Sequence, residues 1–354
     1  MNYKDTLFFI GKCLTITHEE HNRILVEEKL KANEVNWDNV VKVSTSHYVF
    51  PALYCNLKRA DFLHYLPNDL VEYMQHITDL NRERNEQIIA QAKEVNQLLL
   101  SHNITPIFLK GTGNLLSGLY EDIGERMLGD IDLLTSSKHF KPSIKILKEN
   151  KYSENSRNFL DNTVQNRHYP KITKKGKIGA LEVHYKMINN ESSFNFNTIE
   201  PNLQKVMNNL TVLSFKDKTL ITCLNKQLND NGQWYKTISL RNSYDLYLLS
   251  KKTSVQNTLT NFESPYKDYL INFLASSNLI FNAPKSLNYL KTNKTEKFKK
   301  QQMLLIEYPK KASFNKRKWD LYFLYKIRFS IFFKALYITE YRKYFFKKLT
   351  KPNS

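Results

Sequence analysis

The segment Gly129-Asp130-Ile131-Asp132-Leu133-Leu134-Thr135 constrains the fold more than any other stretch of the chain. Its residues Asp130 to Thr135 read as a short strand, entered from a turn-rich loop that ends at Gly129. Side chains two apart on a strand share a face, which sets Asp130 and Asp132 side by side at about 7 Å. Ile131, Leu133 and Leu134 anchor that strand. Two uncompensated charges beside buried aliphatics are costly unless a cation or a basic partner neutralises them. The bland alternative is a solvated turn, and the tripeptide D-x-D alone is a weak signal, so its flanks decide.

Two carboxylates on a rigid apolar strand suit a divalent metal site. Mg²⁺ prefers such oxygen ligands, and two ions about 3.5–4 Å apart can bridge a triphosphate and an attacking hydroxyl. Upstream, Lys110, Gly111 and Thr112 stand where the apolar run Ile104-Thr105-Pro106-Ile107-Phe108-Leu109 gives way to a helical pattern. Free N–H groups at a helix start bind phosphate, and Gly lets a backbone approach closely, although a Gly after a strand also makes ordinary turns. Downstream, Glu182 and His184 alternate with Leu181 and Val183 and so share one face of a second strand. Glu182 is read as a third carboxylate, with His184 orienting substrate or serving as a base. The competing reading is an exposed Glu–Lys pair across a hairpin. Arg126 lies four residues before Asp130, where a guanidinium can neutralise triphosphate charge, or pair instead with Glu121, Asp122 or Glu125. His168 is a lesser candidate.

The rest of the chain is helix-rich. Apolar spacing predicts a helical region over residues 1–103, including a long amphipathic helix in NRERNEQIIAQAKEVNQLLLSHN. A mixed core over 104–215 is expected to contain a helix from Ser137 to about Asn150 and a hairpin turning through Lys174–Lys177. Helices return over 216–354. The fold class is therefore α+β, a small mixed sheet with helices flanked by helical ends. Cys13, Cys55 and Cys223 form no C-x-x-C pair, which argues against a disulfide framework or zinc site and points to a reducing cytoplasm. The amino end lacks the apolar core of a signal peptide, and no apolar run is long enough for a membrane span. The net charge is +19, and residues 283–354 hold 19 Lys or Arg against four acids. That segregation suggests a polyanion such as RNA, or else a solvated lysine surface.

These residues resemble the uncharacterised nucleotidyltransferases of the DNA polymerase β-like superfamily, sometimes called nucleotidyltransferase family 5. The resemblance runs in order through PALYCNLKRADFLHYLPNDLVEYM, FLKGTGNLLSGLYEDIGERMLGDIDLL, LEVHYKM and SLRNSYDLYLL. It implies a polymerase β-like core with Gly111 and Thr112 at the superfamily's Gly-Ser position, Asp130 and Asp132 as the acidic pair, and Glu182 as the third carboxylate. Thr112 replaces the commoner Ser, Glu182 stands where Asp is usual, and the gap from Gly111 to Asp130 is long. Lys110, Arg126 and His184 fall on family-typical positions.

The expected activity is transfer of a nucleotidyl group from an NTP such as ATP, aided by two Mg²⁺ ions or by Mn²⁺, to an acceptor hydroxyl. An RNA or tRNA acceptor would suit a toxin or defence enzyme, with Lys316, Arg317, Lys318, Trp319, Arg328, Lys334, Arg342, Lys347 and Lys348 gripping it. A small molecule or peptide is the other acceptor class. Metal-dependent glycosyltransferases also use D-x-D, but that class leaves Lys110–Thr112 and Glu182 unexplained. A non-catalytic nucleotide-binding module is the third alternative.

Overall fold

The computed structural model describes residues 1–154, 167–189 and 193–350. Its architecture is a seven-stranded mixed sheet enclosed by helices from both ends of the chain. Five helices precede the sheet: α1 (Tyr3–Cys13), α2 (Glu20–Lys31), α3 (Trp37–Ser46), α4 (Phe50–Arg59) and α5 (Asn68–Leu100). The core follows as β1 (Ile107–Phe108), α6 (Lys110–Leu116), β2 (Asp130–Leu134), α7 (Ser137–Glu149), β3 (Ser153–Glu154), β4 (Ile172–Thr173) and β5 (Ala180–His184). A single turn, α8 (Phe196–Ile199), leads to β6 (Gln204–Val206) and β7 (Leu210–Val212). The remainder is helical: α9 (Phe215–Leu224), α10 (Gly232–Tyr235), α11 (Leu240–Ser250), α12 (Val255–Thr260), α13 (Lys267–Ile280), α14 (Asn293–Glu307), α15 (Pro309–Tyr337) and α16 (Thr339–Thr350).

The sheet order is β3-β4-β5-β2-β1-β7-β6, with β2 and β5 parallel at its centre. Their apolar side chains, Ile131, Leu133, Leu181 and Val183, are fully buried against Ile88, Ala92 and Val95 of α5 and Leu147 of α7. Alternation therefore turns the polar residues of both strands to the other face. The fold matches the expected α+β class. Sequence-read boundaries differ in detail: α5 begins earlier and ends at Leu100, with Asn103 outside it in a left-handed turn. Of the apolar run Ile104–Leu109, which by its pattern would make a strand up to Lys110, only Ile107 and Phe108 form one; it starts after Pro106, which cannot donate to a sheet ladder.

The two helical ends close on each other. α1 packs on α13 and α14, and at Gly11 a Cβ would lie 2.3 Å from the Ile280 carbonyl oxygen. Glycine is required by that approach of two backbones. Together the ends build a second core from Leu7, Ile10, Leu53, Tyr247, Leu270 and Phe281. It supports the sheet from the side of α6 and α9.

Candidate active site

The parallel register of β2 and β5 builds the site. Asp132 is paired with Glu182 and Leu134 with His184, so strands some fifty residues apart bring their polar faces together. Asp132, Glu182 and His184 are all buried, and their ligand atoms lie within 4.8 Å of one another. His184, with no exposed surface, directs Nε2 to Asp132 Oδ1 at 2.8 Å and to Glu182 Oε2 at 3.4 Å. Both acceptors are carboxylates, which fixes Nε2 as the protonated nitrogen. Nδ1 has no hydrogen-bond partner among the described residues. His184 thus orients the carboxylates from beneath, and His168 lies against it with ring centroids 5.0 Å apart.

Asp130 sits on the same face, nearer the rim. Its Oδ2 receives Lys171 Nζ at 2.7 Å, and that ammonium also lies 3.5 Å from Glu182 Oε1. Lys171 was not anticipated from sequence, where it sits in a lysine-rich hairpin. Its position follows from register: Ile172 pairs with Leu181 on the apolar face, so Lys171 projects on the acidic one. A second ammonium, Lys110 Nζ, is 2.5 Å from Asp132 Oδ1 and 3.8 Å from Glu182 Oε2. Burial alone would raise the pKa of Asp132, but the adjacent Lys110 charge and the His184 hydrogen bond hold it well below the usual carboxylate range. Burial is the largest influence on Glu182 and opposes its ionisation, but the His184 hydrogen bond together with the charges of Lys110 and His168 brings its pKa below the ordinary value. Three carboxylates and two lysines therefore make a dense, nearly balanced charge cluster.

Lys110 reaches this cluster from a strained backbone. It has φ +49° at the first position of α6, a left-handed conformation that costs a residue with a Cβ about 1 kcal/mol or more. The remainder of the Lys110-Gly111-Thr112 element faces elsewhere. Thr112 is buried and its hydroxyl donates to the Asp130 carbonyl at 3.2 Å, tying α6 to β2. At Gly111 a Cβ would lie 2.5 Å from Leu128 Cδ2 and 3.3 Å from the Arg126 guanidinium. Gly113, which sequence reading passed over, is more tightly held, since its Cβ would meet the Phe108 carbonyl at 2.5 Å.

Arg126 lies beside Gly111 but is buried and fully engaged. Its guanidinium donates to Asp245 Oδ2 at 3.0 Å, to the Met127 carbonyl at 2.9 Å and to the Tyr120 hydroxyl at 3.2 Å. None of the three nearby acids suggested by sequence is its partner. Glu125 instead pairs with Arg59 and accepts from the Tyr244 hydroxyl, both at 2.7 Å. Asn81 and Asn85 of α5 hold the carbonyls of Gly124 and Arg126 at 2.7 and 2.8 Å. The loop before Asp130 is thereby clamped between α4, α5 and α11.

An Asp, Glu and His cluster of this kind could hold a divalent metal ion: the carboxylates offer the oxygen donors, and His184, while its Nε2–H donates to them, orients them on the rigid strand pair. Acidic side chains on adjacent central strands with lysines beside them suit a site that handles a divalent cation and phosphate groups. The chain belongs to a nucleotidyltransferase family: the model described as "Uncharacterised nucleotidyltransferase" matches residues 33–262. No curated protein and no solved structure matches it. The matched span begins before α3 and ends after α12, so it takes in the sheet, the clamped loop and Asp245.

Proposed function

We propose that the protein is a Mg²⁺-dependent nucleotidyltransferase that moves a nucleotidyl group from an NTP to an acceptor hydroxyl. The observation that carries this reading is the register of β2 and β5, which places Asp132 against Glu182 with Asp130 on the same face. In this reading Asp130, Asp132 and Glu182 hold the metal, with Mn²⁺ as a substitute. Such ions supply charge neutralisation of the triphosphate and activation of the attacking hydroxyl.

The chain's own residues would do the rest. His184, too deep to meet substrate, keeps the Asp132 and Glu182 oxygens aimed outward. Lys110 and Lys171 now neutralise the carboxylates, and their flexible stems allow each ammonium to turn to phosphate oxygens when a divalent cation takes over that task. Lys171 is the freer of the two, with about half of its side chain exposed. Gly111 and Thr112 hold α6, and with it Lys110, close against β2, and Arg126 stiffens the loop that leads to Asp130. The acceptor hydroxyl belongs to RNA or tRNA, which the positive C-terminal region favours on charge, or to a small molecule or peptide.

The test is incubation of the purified chain with each α-labelled NTP, Mg²⁺ or Mn²⁺, and either total RNA or a small-molecule extract, beside Asp132→Asn. Label transfer and pyrophosphate release by the parent chain, reduced at least a thousandfold in the variant, are expected, since lost transition-state charge neutralisation is worth on the order of 4 kcal/mol. Absence of transfer with every nucleotide and acceptor set would overturn the proposal.

A further inference from the structure

The last two helices carry a surface that the rest of the fold does not cover. α15 is 29 residues long, and only Ala335 within it is buried. Its first half is pinned to the body: Asn315 donates to the carbonyls of Trp234 and Tyr235, both at 3.2 Å, and Phe323 packs edge-on to Trp234 at 5.5 Å. Beyond Phe323 its principal neighbour is α16, which folds back so that Arg342 Nε donates to the Ala335 carbonyl at 3.2 Å. Along this outer half Ile327, Phe329, Phe333, Leu336 and Tyr337 are 53–85% exposed. At about 100° per residue these side chains, with Tyr325 and Phe332, cover roughly half of the circumference or more. Lys326, Arg328 and Lys334 are interleaved with them.

A helix apolar over so much of its surface needs an apolar environment, and a contiguous exposed patch of this kind marks a docking surface. Charge chooses the occupant. Residues 309–350 contain 12 Lys or Arg against two acids, so a second copy would bring like charges together. RNA would satisfy the cations and some aromatic rings, yet would leave Ile327 and Leu336 in water. An anionic lipid surface satisfies both sets, since apolar side chains can enter the acyl boundary while the interleaved Lys and Arg extend their flexible stems to the headgroups. No helix among the described residues is long and apolar enough to cross a membrane, so contact with a bilayer would be along its surface.

We infer that the outer half of α15, with α16, docks the protein on an anionic membrane surface. This does not rest on the metal site, but it gives α15 and α16 to a lipid surface in place of an RNA acceptor. The test is flotation of the full chain with phosphatidylcholine vesicles made with or without phosphatidylglycerol. The chain floats with the anionic vesicles and not with the neutral ones, and binding weakens on raising salt. In the double variant Phe329→Ser with Phe333→Ser, affinity falls about tenfold or more, and Lys326→Glu with Arg328→Glu abolishes the preference for anionic lipid. Circular dichroism and the thermal midpoint, unchanged in both variants, show that the fold is kept. Failure to float with either vesicle overturns the inference, as does equal flotation of the parent and both variants. It is also overturned if Phe329 and Phe333 prove necessary for dimerisation in light scattering, or for tRNA binding, with no vesicle binding.

Discussion

Replacing Arg126 by Met separates two roles for that residue, a brace for the loop and a contact for substrate. The guanidinium is buried, 3.0 Å from Asp245 Oδ2, with the Tyr120 hydroxyl donating to the other Asp245 oxygen at 2.7 Å. Met fills much of the Arg volume but leaves Asp245 buried without a cation. Breaking a buried ion pair from one side costs about 3–5 kcal/mol. With a urea slope of about 3 kcal/mol/M, the unfolding midpoint falls by roughly 1–1.7 M. The double variant Arg126→Met with Asp245→Leu removes both charges and recovers most of that loss, because an apolar pair of similar volume is often no worse than the ion pair. The assay is urea denaturation followed by circular dichroism, with NTP affinity measured by calorimetry on the same samples. If Arg126→Met unfolds within about 0.3 M of the parent yet loses NTP affinity, the guanidinium acts on the nucleotide and the bracing role is refuted.

Three further outcomes follow from the same contacts. Lys171→Met, which frees Asp130 and Glu182 of a competing ammonium, tightens Mn²⁺ binding about threefold to tenfold in calorimetry, a modest gain because the exposed pair is screened by solvent; weaker binding would mean that the lysine holds the carboxylates in place for the ion. Lys218 is buried on α9, its Nζ over the Phe215 ring at 4.9 Å and without a hydrogen-bond partner among the described residues, and burial lowers its pKa to about 7. It is protonated in the unfolded chain up to about pH 10.4, so its burial costs most below pH 7 and the cost fades as pH rises toward 10. Lys218→Met is therefore more stable than the parent by several kcal/mol at pH 7, with the difference shrinking by pH 10; a pH-independent difference in urea midpoints would contradict this. Gly113→Ala, whose Cβ would sit 2.5 Å from the Phe108 carbonyl, destabilises the chain by about 1–3 kcal/mol, a loss that unchanged thermal unfolding would disprove.

Much of the site was legible in local pattern. The alternation of Asp130, Ile131 and Asp132, and of Leu181, Glu182, Val183 and His184, was enough to assign each strand a polar and an apolar face. What alternation cannot state is which strands pair and in what register, because that is settled by packing against α5 and α7. Lys171 was missed for this reason: in Lys171-Ile172-Thr173-Lys174-Lys175 it reads as one solvated cation among several, and only the Ile172–Leu181 pairing turns it toward Asp130. The partner of Arg126 was missed for a similar one. Local acids compete on sequence distance, whereas Asp245 lies 119 residues away, and Glu121, Asp122 and Glu125 are drawn off by Arg59 and Arg82.

The segment Ser239-Leu240-Arg241-Asn242-Ser243-Tyr244-Asp245-Leu246 gains a physical meaning from these pairs. Read as sequence it is a helical pattern well past the sheet and one of the stretches that carry the family resemblance. In the fold, consecutive residues Tyr244 and Asp245 receive consecutive loop residues Glu125 and Arg126, and that loop leads within four residues to Asp130. A helix from the C-terminal half thus sets the entry of β2. The Arg126–Asp245 contact is desolvated, so its geometry is enforced by the high cost of leaving either charge alone. Loosening it would displace the first strand carboxylate and the Leu128 side chain that fills the space at Gly111. The candidate site therefore draws on more than the sheet that carries the carboxylates: the β2–β5 register sets Asp132 against Glu182, and α11 braces the loop by which the chain enters Asp130.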